Sequence, residues 1–163
     1  MKHGTLILGT NVTVVQNGTV ICRGSNLIGT AGLTYYGQKA TGATPTNTFA
    51  VLELASAGTP GAASDRSDFT MIGSTEQAFT ATYPKLDDDD TDNATDAGPL
   101  VCTYLSEYAA GDFTAASVTH GIITVATPGA SAPILCGWAF ASPFSQSAND
   151  SLKVFVNHTL ATA

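Results

Sequence analysis

Short runs of β-branched and aromatic residues recur along the chain, each closed by a turn signal, and few segments carry a helical period. That rhythm constrains the fold more than any other feature, because closely spaced strands with turns between them stack into sandwiches, jelly rolls or barrels. Thr5–Leu8 is apolar and Val12–Val15 is β-branched. Asn17-Gly18 is a two-residue hairpin turn, and Thr19–Cys22 resumes the strand. Further strands are expected at Phe49–Leu54, 78–86, Leu100–Tyr108, Phe113–Thr119, Ile122–Val125, Ile134–Phe140 and Leu152–Leu160, with a bend at His120-Gly121. Residues 26–40 read as a short helix capped by Ser25 and weakened by Gly29, Gly32 and Gly37, and Ser67–Ile72 as a further helical turn. The expectation is a mainly β, sandwich or jelly-roll-like fold with at most one or two short helices. It forms a single domain over 1–163, with residues 1–4 and 41–65 as loop or arm extensions.

Composition bears on partners. Hydrophobic residues make up 44% and charged residues 12%, with a net charge of −7. Disorder is excluded by so few charges and so many β-branched residues. A surface of Thr, Ser, Ala, Gly and Asn loses little on desolvation and suits contact with other subunits, although a compositional habit of the host explains it equally. Lys2, Arg23, Lys39, Arg66, Lys85 and Lys153 are scattered singly, which argues against nucleic acid, since a phosphate backbone requires clustered cations. No apolar run reaches the ~18–20 residues of a membrane span, and the apolar stretch after Met1 is too short for a signal peptide. Synthesis in the host cytoplasm is therefore expected, with no membrane partner. Cys22, Cys102 and Cys136 lack metal or redox spacing and read as reduced thiols. Sequons begin at Asn11, Asn17, Asn93, Asn149 and Asn157, which in a Thr-rich chain need not carry glycans.

The acidic stretch 87–98 contains Asp87, Asp88, Asp89, Asp90, Asp92 and Asp96. It begins with the alternation of an EF-hand calcium loop. The pattern then fails, because Asn93 stands where glycine is needed and Pro99 where a bidentate glutamate is needed. A solvated loop is the favoured reading, with docking onto a basic neighbour as a further use. For catalysis, His3, His120 and His158 have no ligand spacing and no hydrolase motif is present. Glu53, Glu76, Glu107 and Asp112 form no evident pair. No catalytic, cofactor-binding or metal-binding residue is assigned, no cofactor is expected, and the chain reads as non-enzymatic. Trp138 reads as core. Phe155, among polar residues on the terminal strand, reads as a subunit contact or a covered edge.

Several ordered segments carry a resemblance. They are Phe79–Leu86 followed by the acidic loop, Cys102–Tyr108, Ala109–Phe113, Val118-Thr119 with Gly121–Ile123, Ala139–Phe144 and Asp150–Val156. In that order they resemble a family of small β-rich virion proteins of tailed bacteriophages, carried as capsid decoration (cement) or tail-associated components. His120 stands where that family more often has glutamate. The match covers about half of the chain and only loosely the part before it. The resemblance implies a self-assembling β-fold without catalytic residues. The leading expectation is a capsid decoration protein, a homotrimer bridging major capsid subunits on the virion. The alternative is a tail, fibre or baseplate-associated protein, including a receptor-binding one. From the residues themselves, Gly111-Asp112 is expected to turn the chain, Phe113 to anchor the next strand, and Pro143 to mark an edge or strand end.

Overall fold

A computed structural model describes the backbone of residues 5–87 and 100–162, and the side chains of 10–86 and 101–159. Two antiparallel sheets pack face to face. Sheet A runs in the order β2 (Thr19–Gly24), β1 (Thr5–Gln16), β11 (Leu152–Thr162), β8 (Leu100–Tyr108), β7 (Lys85–Asp87). Sheet B runs β3 (Asn26–Ile28), β10 (Ile134–Gln146), β9 (Ala115–Val125), β4 (Phe49–Gly58), β5 (Phe69–Met71), with β6 (Gln77–Ala78) also on β4. Helix α1 spans Thr30–Ala40. This is the expected sandwich, with one α-helix and one 3₁₀ turn, Arg66–Asp68, among the described residues.

Strand alternation supplies the central core. Val12 and Val14 of β1, and Leu152, Val154 and Val156 of β11, point inward from sheet A. Leu52 and Leu54 of β4, Ile123 of β9 and Trp138 of β10 meet them from sheet B. Burial of one such side chain contributes roughly 1.5–3 kcal/mol, and Trp138 takes the core position expected of it. The hairpin turn is also as expected, with Asn17 at φ 50° and Gly18 at φ 79°. Gly111, at φ 91°, turns the chain beside Asp112, whose carboxylate accepts from the Ala109 N–H at 2.7 Å. Phe113 then packs edge-on to Tyr108, with ring centroids 5.2 Å apart.

Several local expectations are corrected. The helix starts at Thr30 behind Gly29, and Ser25 does not cap it. Residues 26–28 form a strand because they pair with Trp138, Gly137 and Cys136. Gly32 stabilises the helix's seat although it weakens the helix itself, since a Cβ there would overlap the Leu135 carbonyl. No bend occurs at His120-Gly121. Strand β9 is continuous, and Gly121 leaves room for the Trp138 indole, which a Cβ would overlap. Strand β10 does not stop at Pro143; pairing with β9 lapses after Ala139 and resumes at Phe144, so Pro143 falls in a bulge. The expected strand 78–86 is interrupted. Tyr83 N–H bonds back to the Thr80 carbonyl at 3.0 Å, and only Gln77–Ala78 and Lys85–Asp87 pair.

The stretch 41–65 is largely ordered into the body. Residues 49–58 are β4, buried on both faces from Val51 to Ala55, where the chain beyond it folds back over sheet B. Phe69 and Met71 close a second, smaller core with Ala55, Ile122 and Ile134. The expected helical turn is reduced to Arg66–Asp68, held by reciprocal bonds between Asp65 and Ser67–Asp68. Strand β11 lies third of five in sheet A, flanked by β1 and β8, so Phe155 is half-buried in mid-sheet and not on an edge. Of the acidic stretch, Asp87 ends β7. His3 and the rest of that stretch lie outside the described residues.

Candidate functional site

Each carboxylate considered for catalysis is engaged by a nearby structural group. Glu53, in β4, is buried, and Arg66 grips it with two bonds of 2.8 Å, Nε to Oε2 and Nη2 to Oε1. This ion pair pins the 3₁₀ turn onto the outer face of sheet B. Glu107 faces solvent beside Lys153 at 2.5 Å, which holds its carboxyl below the usual range, and it also accepts from Thr80 Oγ1 at 3.1 Å. Glu76 accepts from the Thr127 N–H at 3.3 Å, and Asp112 serves the turn already described. Among the described residues, no three His, Cys, Asp or Glu side chains gather as metal ligands.

The densest polar chemistry lies inside the sandwich. His158, from β11, is fully buried; its Nδ1 is 2.6 Å from the Tyr36 hydroxyl and its Nε2 is 3.0 Å from Asn26 Nδ2. The Tyr36 hydroxyl is in turn 2.9 Å from that of Tyr104. Asn26 Nδ2 also reaches Cys136 Sγ at 3.6 Å, and the Cys102 thiol interacts with both phenols. Five elements contribute: β3, α1, β8, β10 and β11.

The hydrogen-bond directions follow from the donor inventory. If Asn26 Nδ2 donates to Nε2, the imidazole proton sits on Nδ1 and is donated to Tyr36. The Tyr36 hydroxyl then donates to Tyr104. Burial holds His158 neutral, lowering its pKa from 6.5 to about 3, and pushes both phenols and the Cys136 thiol well up. Asn26 Oδ1 is left without a partner. Such a chain of neutral donors fixes the helix against both sheets, and no group in it is poised to exchange a proton near neutrality.

Sequence reasoning gave His158 no role, and the structure places it on the inward face of β11 with Leu152, Val154 and Val156. That reasoning missed Tyr36 and Asn26 as partners, because no local pattern links residues so far apart in the chain. It also missed the pairing of Glu53 with Arg66. His120 is part-buried, with Nδ1 at 2.6 Å from Thr119 Oγ1 and its ring edge-on to Phe69. The three cysteines are free thiols, Cys22 and Cys136 buried and Cys102 partly so.

The surface offers two further features. An open groove of about 450 Å³ lies between the start of α1 and residues 62–65, lined by Thr30, Thr34, Ser64, Asp65, Ser131 and Pro133 among others. Aliphatic side chains stand exposed at Val20, Ile21, Leu27, Leu33 and Leu86, the last 60% exposed. No described helix is long and apolar enough to cross a membrane.

The class defined by these features is a single-domain antiparallel β-sandwich with a buried polar network. Comparison with known proteins returns no matching family model, no matching curated protein and no matching solved structure.

Proposed function

We propose that the chain is a virion structural protein of a tailed bacteriophage, a capsid decoration (cement) protein that stabilises the shell by bridging major capsid subunits. The observation that carries this reading is a sandwich with aliphatic side chains exposed on β2, β3, β7 and α1. Removal of such side chains from water favours association without the desolvation cost of charges. The ordered segments that resemble virion proteins support the same role. The partners are then further copies of the chain, as a trimer, and the major capsid protein. An interface of the standard ~1,600 Å² is enough for specific attachment when complementarity is good.

Quantitative mass spectrometry of purified particles tests the proposal. Hundreds of copies per particle fit a lattice-wide cement. Absence from particles, or no affinity of the isolated protein for undecorated shells, overturns it. A tail or fibre role, including receptor binding, is the second reading, and the open groove beside α1, where Thr and Ser hydroxyls stand among Ala and Pro side chains, favours it. A few copies per particle, together with binding on a glycan array, selects that reading.

A further inference from the structure

We propose that Asn17 is a self-modification site whose side-chain amide deamidates through the backbone nitrogen of Gly18, at a rate set by a clasp to the turn between β10 and β11. The proposal does not depend on the virion reading. Asn17 and Gly18 are the two central residues of the β1–β2 turn, at φ 50° and 79°. A glycine after asparagine leaves the attacking nitrogen unshielded by any Cβ. The space around Gly18 is open, with nothing within 4 Å of where a Cβ would stand.

The carboxamide is held at both ends. Its Nδ2 donates to Asp150 Oδ1 at 2.7 Å, and its Oδ1 accepts from the Ser151 N–H at 3.0 Å. The Asn17 N–H donates to the Ser151 carbonyl at 3.1 Å. Asp150 is itself fixed, its Oδ2 accepting from the Ser147 N–H at 2.8 Å and its carbonyl from Gln146 Nε2 at 2.7 Å. Cyclisation requires the Asn17 side chain to swing over its own backbone, so all of its bonds to the neighbouring turn must open first.

The reaction balances with water as the only co-reactant. The Gly18 nitrogen attacks Asn17 Cγ, and the new C–N bond closes a five-membered imide. The Cγ–Nδ2 bond breaks, and ammonia leaves with the proton lost from the Gly18 amide. Water then opens the imide at either carbonyl to give aspartate or isoaspartate at position 17. The aspartate product places a carboxylate where Asp150 had accepted a hydrogen bond, so repulsion replaces the clasp. Isoaspartate lengthens the backbone of a two-residue turn whose geometry admits no extra atom. The modification is irreversible and loosens one end of sheet A.

The full chain, incubated at mildly alkaline pH, is compared folded in buffer and unfolded in urea, with the amide-to-acid mass change at Asn17 followed by peptide mapping. Local opening that gates the chemistry slows the folded chain by about tenfold or more, and Asp150→Ala in the folded state falls between the two. Equal folded and unfolded rates overturn the gate. An Asp150→Ala rate as slow as the native one overturns the clasp, and no conversion at Asn17 in the unfolded chain overturns the site. If Asp150→Ala does not fold, the comparison of folded and unfolded native chains decides alone.

Discussion

A single buried imidazole makes stability depend on pH. His158 in the folded chain takes a proton only near pH 3, while its ordinary value is 6.5. Below 6.5 the unfolded state therefore binds a proton that the folded state refuses, and stability falls as pH drops toward 3. The slope is about 1.4 kcal/mol per pH unit. Glu107, Asp65 and Asp150 have lowered values, so their contribution is also lost on acidification, but in the carboxylate range. His120 shares the sign of His158 and is far less buried. Urea denaturation at pH 7 and pH 5 is expected to show under half of this histidine-linked loss, about 2 kcal/mol, and His158→Gln to remove it. Arg66→Ala leaves the Glu53 carboxylate buried without its cation. Loss of a buried partner costs about 3 kcal/mol, which the same denaturation curves measure at neutral pH.

At the scale of elements, two contacts decide how sheet B is dressed on its faces. Gly121→Ala drives a methyl group into the Trp138 indole, and overpacking of this kind costs about 1–3 kcal/mol. Trp138 is the single tryptophan, so its emission reports that strain directly. Phe69→Ala empties the second core and is expected to destabilise by about 3 kcal/mol, with protease cleavage within 59–68 as the readout. These elements also show what the sequence made legible. The hairpin at Asn17-Gly18 and strand β8 carry their own signals, a positive-φ turn pair and a β-branched, aromatic run, and both were found where expected. The second half of β4, Ala-Ser-Ala-Gly, has no intrinsic preference for a strand and becomes one because Phe69–Met71 lies alongside. Asn26–Ile28 and the continuity of β9 through Gly121 likewise depend on β10, and no window of local sequence contains those contacts.

For the whole molecule, the sandwich is joined mainly by contacts between residues distant in sequence. Strand β1 pairs with β11, β4 with β9, β8 with β11 and β3 with β10, whereas β1–β2, β4–β5, β7–β8 and β9–β10 join strands consecutive in sequence. Topologies of this kind fold in milliseconds to seconds. Stopped-flow refolding followed by Trp138 emission is expected to give a rate in that range, and a microsecond phase carrying the full amplitude contradicts it. The same topology explains why the buried polar network was not legible residue by residue, since its members come from five elements that meet only in the finished fold.

The pairing of β1 with β11 has a consequence for biosynthesis. The first described strand to leave the ribosome waits for the last, because Gln16 finds its partner only when Leu152 emerges. At about 5–20 residues per second that wait is on the order of ten seconds. Throughout it, Val12 and Val14 lack the β11 half of the sheet that buries them. A nascent chain stalled before Leu152 therefore presents an incomplete sheet with an open seam, and it is this intermediate, not the finished sandwich, that a chaperone has to shield.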